Sequence, residues 1–161
     1  MHEPTQTSMP EMLTIRLKLS CEKRLTLFKC PAYLTERLLE KGIFQDVNYI
    51  NELFEEWKKY VILSMIHPEI SLPMISTDVD KIWHNFILFT RQYHDFCTDI
   101  LGINYFHHAP SISGEISTSV SGETFSQLYN DKFGEEISKH WGDLSSCKSC
   151  EFTCSGRDCN H

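Results

Sequence analysis

Basic residues are in deficit in this sequence. Its 161 residues contain 15 lysines and arginines against 22 aspartates and glutamates, which gives a formal net charge of −7. Surfaces that bind nucleic acids need clustered lysine and arginine to contact phosphates, and no basic run is present. The composition therefore argues against a nucleic-acid partner.

Long apolar stretches are also missing. The N-terminal segment has no positive charge followed by an apolar run, as a secretory signal would require. No apolar run approaches the ~20 residues that a membrane-spanning helix needs. From these absences we expect no membrane partner and a cytoplasmic location.

Several sequence cues of common enzymes are absent as well. There is no glycine-rich phosphate loop, no G-x-S-x-G nucleophile motif and no H-E-x-x-H zinc motif. The sequence therefore names no reaction, and it leaves open whether the protein is an enzyme.

The spacing of apolar residues predicts a mainly α protein with two long, packed helices. The first runs from Asp46, its N-cap, to His67, and the second from Asp78 to Leu101, where Gly102 ends it. Trp57 and Trp83 lie in these two segments. We expect both indoles to be buried where the helices meet.

Shorter elements complete the predicted helical domain, which spans residues 1–141. Helices are predicted from Pro31 to Leu39 and from Glu123 to Phe133. Near the N-terminus, apolar and polar residues alternate and a second short apolar run follows. This pattern predicts a β-hairpin within residues 12–28.

The stretch from Ser76 to Pro110 is rich in candidate metal ligands. Asp80 and His84 are one turn apart on the predicted helix, so their side chains can converge. After the helix, five extended residues cover about 16 Å and can bring His107 or His108 back towards His84. Adjacent residues of an extended segment point to opposite sides, so we expect only one of the two to face the site. Imidazole with carboxylate suits zinc, iron or manganese, and we predict a divalent metal site here.

Two other interpretations of this stretch remain open. Asp80 could serve only the first turn of the helix, while His84 and the later histidines form hydrogen bonds or pack without a metal. His94 and Cys97, three residues apart on a helix and therefore neighbours, could form a thiol–imidazole nucleophile. Against this, Cys97 lies beside aromatic residues near a helix C-terminus, a setting that raises the pKa of a thiol.

The end of the chain, residues 142–161, carries a second candidate metal site. Five potential ligands follow the spacing Cys147-x2-Cys150-x3-Cys154-x4-Cys159-x-His161. Four soft ligands can enclose one tetrahedral zinc ion, and clustered cysteines in a reducing compartment favour metal over disulfides. We predict a Cys-rich tail that binds zinc. The alternatives are an unstructured tail, or disulfides formed under oxidising conditions.

The central stretch also resembles a known family. The run D-V-D-x-x-W-H-x-F-I-L-F-T-R-x-Y-x-x-F-C begins at Asp78, and G-x-x-Y-F-H-H-A-P follows from Gly102. This pattern is similar to that of the bacterial glycine-rich domain-containing proteins, which are related to the plant glycine-rich domain proteins. The similarity runs from about Ile43 to the end of the chain, although the tail here is rich in cysteine and not in glycine. The resemblance implies a domain identity but no activity.

Two classes of function follow from the sequence. The first is a metal-binding, non-enzymatic or interaction module, for which a protein partner is left open. The second is a metal-dependent enzyme with its active site around His84. A His84 saturated by protein contacts would favour the module, and a cleft open to water beside it would favour the enzyme.

Overall fold

The computed structural model describes residue 17, residues 20–108 and residues 119–142. The regular elements among these residues are helices, with one isolated parallel bridge between Ser71 and Ser119 and no β-strand. None of the described helices has the length and apolarity that crossing a lipid bilayer requires. The elements in chain order are residues 20–27 (α1), Ala32–Glu40 (α2), Val47–Ile66 (α3), Thr77–Ile87 (α4), Thr90–Asp95 (α5), a π-helix Phe96–Leu101, Gly122–Phe133 (α6) and a 3₁₀ turn Lys139–Trp141.

Helix α3 forms the centre of the hydrophobic core. The Asp46 side chain caps it, accepting a hydrogen bond of 2.9 Å from the backbone N–H of Asn48. Helix α4 packs against α3, and the rings of Trp57 and Trp83 lie 6.3 Å apart. Both indoles are buried, so the predicted packing of these two helices is confirmed. The apolar stripe of α3 is fully buried at Ile50, Leu53, Phe54, Trp57 and Val61.

The prediction of one continuous helix from Asp78 to Leu101 is wrong. Helix α4 ends at Ile87, and Phe89, with φ −84° and ψ 64°, turns the chain before α5 begins at Thr90. The π-helix then continues α5 to Leu101. No glycine or proline marks this turn, and packing accounts for it. The Phe89 ring lies 4.6 Å from that of Tyr33 on α2, while the aromatic residues of α5 and the π-helix enter the core.

The hairpin predicted within residues 12–28 is wrong where the structure describes it. Residue 17 and residues 20–27 are helical. A lone two-stranded hairpin is only marginally stable in water, whereas a helix can turn part of this segment's apolar residues towards the core and leaves Leu17 and Leu27 exposed. The residues that turn towards the core have helical spacing: Cys21, Leu25 and Phe28.

The shorter helices α2 and α6 form close to the predicted positions. Helix α6 ends at Gly134, whose φ of 68° is the left-handed conformation that favours glycine. Beyond it, Trp141 is fully buried. The predicted Cys-rich tail, residues 142–161, lies outside the described residues except for Gly142.

Candidate metal site

Asp80 lies between two histidines. Its Oδ1 is 2.6 Å from Nε2 of His108, and its Oδ2 is 3.0 Å from Nδ1 of His84. One donor atom from each of the three residues lies within 4.8 Å of the other two. Small side-chain movements would bring these donors to the ~2.0–2.2 Å at which nitrogen and oxygen bind zinc. The structure thus brings together Asp80, His84 and one of the two later histidines that the sequence predicts.

Helix α4 supplies the first two donors. Its N-terminus is capped by Ser76, whose hydroxyl accepts a hydrogen bond of 3.2 Å from the N–H of Val79. The cap therefore sits one residue before Thr77, which begins the helix. The four-residue spacing of Asp80 and His84 places their side chains on the same face, one turn apart.

The third donor arrives on the segment that follows the π-helix. Gly102 ends that helix with a φ of 71°, and the segment after it packs against Trp83. The indole of Trp83 stacks on the ring of Phe106 at 5.0 Å and meets the edge of the His108 ring at 4.3 Å. Trp83 is therefore one wall of the site. Helical spacing predicts only that Trp83 is a core residue, and its position next to His84 in the sequence is the one feature that indicates a place beside the site.

His107 does not join the cluster. Its residue is exposed, and its ring packs 4.8 Å from that of Tyr105. The next residue, His108, has only 11% of its side chain exposed and faces Asp80. This is the alternation expected of adjacent residues in an extended segment.

The thiol–imidazole alternative receives no support from the structure. His94 is exposed, whereas Cys97 is fully buried. The Cys97 sulfur accepts a hydrogen bond of 3.4 Å from the N–H of Phe106. Burial raises the pKa of this thiol, and a thiol with a raised pKa is a poor nucleophile.

The cluster holds Asp80 in its ionised form. Burial alone would raise the pKa of Asp80, but hydrogen bonds from His108 and His84, and the charges of both, lower it to about 2. The hydrogen bond to Asp80 raises the pKa of His84, although burial acts in the opposite direction. The carboxylate is thus ready to bind a cation at neutral pH, and a metal that takes the His84 nitrogen must displace its proton.

The three side chains differ in their access to solvent. Asp80 and His108 have 17% and 11% of their side chains exposed, whereas His84 has 37%. The cluster therefore lies at the edge of the core, with His84 on the solvent side. Water or a small ligand can reach the site from that side.

The predicted ligands of the tail lie outside the described residues. They are Cys147, Cys150, Cys154, Cys159 and His161. Their zinc site stays a prediction from the sequence.

The fold and the cluster define a class: a small helical protein whose candidate site is a carboxylate between two histidines. The chain belongs to the UCP032817-like family, an uncharacterised family whose model matches residues 20–128. That range contains Asp80, His84 and His108 and ends before the tail. No curated protein and no solved structure matches the chain.

The resemblance to the glycine-rich domain-containing proteins is wrong. The family that the chain matches is a different one, and its match covers the central run from Asp78 on which the resemblance depended. Many residues of that run, such as Trp83, Phe86 and Tyr93, are buried in the core. A pattern of aromatic residues along a buried helix reports packing and is not confined to one family.

Proposed function

We propose that this protein binds one divalent transition-metal ion through Asp80, His84 and His108. The observation that carries the proposal is the position of the Asp80 carboxylate, 2.6 Å from one imidazole and 3.0 Å from the other. Carboxylate and imidazole together are donors for zinc, iron and manganese. Asp80 is ionised at neutral pH although burial acts to raise its pKa, and ligands must be deprotonated to bind metal.

The role that we propose is that of a metal-binding module. Two of the donors belong to α4, and the third belongs to the segment after the π-helix. An ion shared by the three would join these segments by bonds stronger than the present hydrogen bonds. A cluster with a purely structural role would contain no metal, and a chelator would then leave the contact between these segments unchanged.

Calorimetric titration of chelator-treated, full-length protein with Zn²⁺ tests the site. His84→Ala and His108→Ala should each weaken binding by more than about 100-fold, because losing a group that merely supports a ligand already costs 10–100-fold. His107→Ala is the matched control, since it removes an exposed histidine from the adjacent position and should bind as the wild type does. Equal affinity in all four proteins would contradict the proposal. The titrations are made with the four tail cysteines changed to serine, so that one site is measured.

We also propose that the tail binds a zinc ion in the reducing environment of the cytoplasm. The sequence supports this, because residues 145–161 contain one phenylalanine and no aliphatic side chain. Such a segment cannot offset the ordering entropy of about 1–2 kcal/mol per residue by burial alone. Co²⁺ distinguishes the two sites, since thiolate ligands give an intense ultraviolet charge-transfer band. That band should vanish in the cysteine-to-serine protein, while the visible bands of the central site persist.

A metal-dependent enzyme is the second candidate function. The exposed side of His84 favours it, because three protein ligands leave coordination positions for water or substrate. Azide added to the Co²⁺ protein with serine in the tail distinguishes the two roles. A change in the visible spectrum would mean an open position, as an enzyme requires, and an unchanged spectrum would favour the module.

A further inference from the structure

Phe106 is held on three sides by the residues around it. Its carbonyl accepts a hydrogen bond of 2.6 Å from the hydroxyl of Tyr93, and its N–H donates to the sulfur of Cys97 at 3.4 Å. Its ring stacks on the indole of Trp83. Both backbone groups and the side chain of this one residue are therefore fixed.

This arrangement bears directly on His108. Residues two apart in an extended segment face the same side, so Phe106 and His108 both turn towards Trp83. Trp83 belongs to α4, the helix that also carries Asp80 and His84. The position of Phe106 therefore sets how far the His108 ring stands from the other two donors.

The Tyr93 hydroxyl is the centre of this network. It accepts a hydrogen bond of 2.8 Å from Nε1 of Trp83 while donating to Phe106. Tyr93 is fully buried, and burial raises the pKa of its hydroxyl, which therefore keeps the proton that it donates. One hydroxyl thus connects the helix that carries two donors to the segment that carries the third.

We propose that Tyr93 is a positioning residue for the metal site, acting through Phe106 on His108. The inference rests on the proposed function. Without the hydroxyl, the Trp83 N–H and the Phe106 carbonyl lose their shared partner, and the segment can shift. A shift of the His108 nitrogen by a fraction of an ångström is enough to weaken coordination, because a bound metal tolerates only a narrow range of ligand distances.

The test compares two conservative variants, Tyr93→Phe and Tyr129→Phe, each made in the full-length protein with serine at the four tail cysteines, so that Co²⁺ reports on the central site alone. Tyr129 is the matched control, because it too is fully buried and its hydroxyl also makes several hydrogen bonds, but to Glu56 and Lys59. Tyr93→Phe should weaken Co²⁺ binding by about tenfold and shift the visible bands of the bound ion. Tyr129→Phe should lower the melting temperature but leave the affinity and the bands unchanged.

A second pair of variants keeps the test decisive if Tyr93→Phe does not fold. Cys97→Ala removes the other hydrogen bond to Phe106, whereas Cys21→Ala removes a buried cysteine on α1. Only the first should weaken Co²⁺ binding.

The outcomes separate this inference from the proposed function. A wild-type protein that binds no Co²⁺ at the central site overturns the proposed function and the inference with it. If the wild type binds, and His84→Ala and His108→Ala do not, the proposed function stands. Equal affinity and equal spectra for Tyr93→Phe, Tyr129→Phe and wild type would then overturn the role of Tyr93 alone.

Discussion

Asp80 and Glu56 are two carboxylates whose partners give them different chemistry. Glu56, 6% exposed, accepts hydrogen bonds from Tyr129, Trp141 and Lys59. These groups donate hydrogen bonds, and none of them is an imidazole, a thiol or a second carboxylate. Asp80 accepts from two imidazoles, which are metal ligands themselves. The same functional group is therefore structural at one position and a candidate ligand at the other.

The Glu56 cluster predicts a loss of stability at alkaline pH. Burial and the nearby Glu56 charge, partly opposed by Lys59, raise the pKa of Tyr129 from 10.0 to about 12. Because folding raises this pKa, the contribution of the protonated hydroxyl is complete below pH 10 and is lost as the pH rises towards 12. Tyr129→Phe should lower the unfolding free energy by about 1–3 kcal/mol at neutral pH. Urea unfolding should show this difference shrinking above pH 10, and a difference constant up to pH 12 would contradict the assignment.

At the scale of the elements, several helix ends could be predicted from capping residues and glycines. Asp46 caps α3, and Gly102 and Gly134 adopt the left-handed conformation that ends a helix. The turn at Leu88 and Phe89 has no such signal. It depends on contacts with α2 and the core, which lie far away in sequence. A prediction from the spacing of apolar residues therefore continues the helix through this turn.

The candidate site was predictable to the same extent. Helical spacing alone brings Asp80 and His84 together, because both lie on one helix. The alternation of an extended segment predicts that only one of His107 and His108 faces them, but it cannot say which. That choice depends on the stacking of Phe106 against Trp83, a contact between segments that no local pattern encodes.

At the scale of the whole molecule, the central site and the tail should affect stability differently. The central donors lie at the edge of the core and on elements that pack into it, since two lie on α4, which packs against α3, and the third lies against Trp83. An ion bound there binds only the folded state and therefore stabilises the whole domain. At a free metal concentration 100 times the dissociation constant, the gain is about 2.7 kcal/mol.

This linkage predicts a rise of roughly 5–10 °C in the melting temperature, because 1 kcal/mol corresponds to about 2–4 °C for a chain of this size. Thermal unfolding followed by circular dichroism, with Zn²⁺ and with a chelator, measures the rise. His107→Ala and the protein with serine at the four tail cysteines should keep it, and His108→Ala should lose it. The contrary outcome is a rise that persists in His108→Ala but is lost when the tail cysteines are changed to serine. It would mean that the ion stabilises the fold through the tail. The central cluster would then be only a hydrogen-bonded contact between α4 and the segment that follows the π-helix.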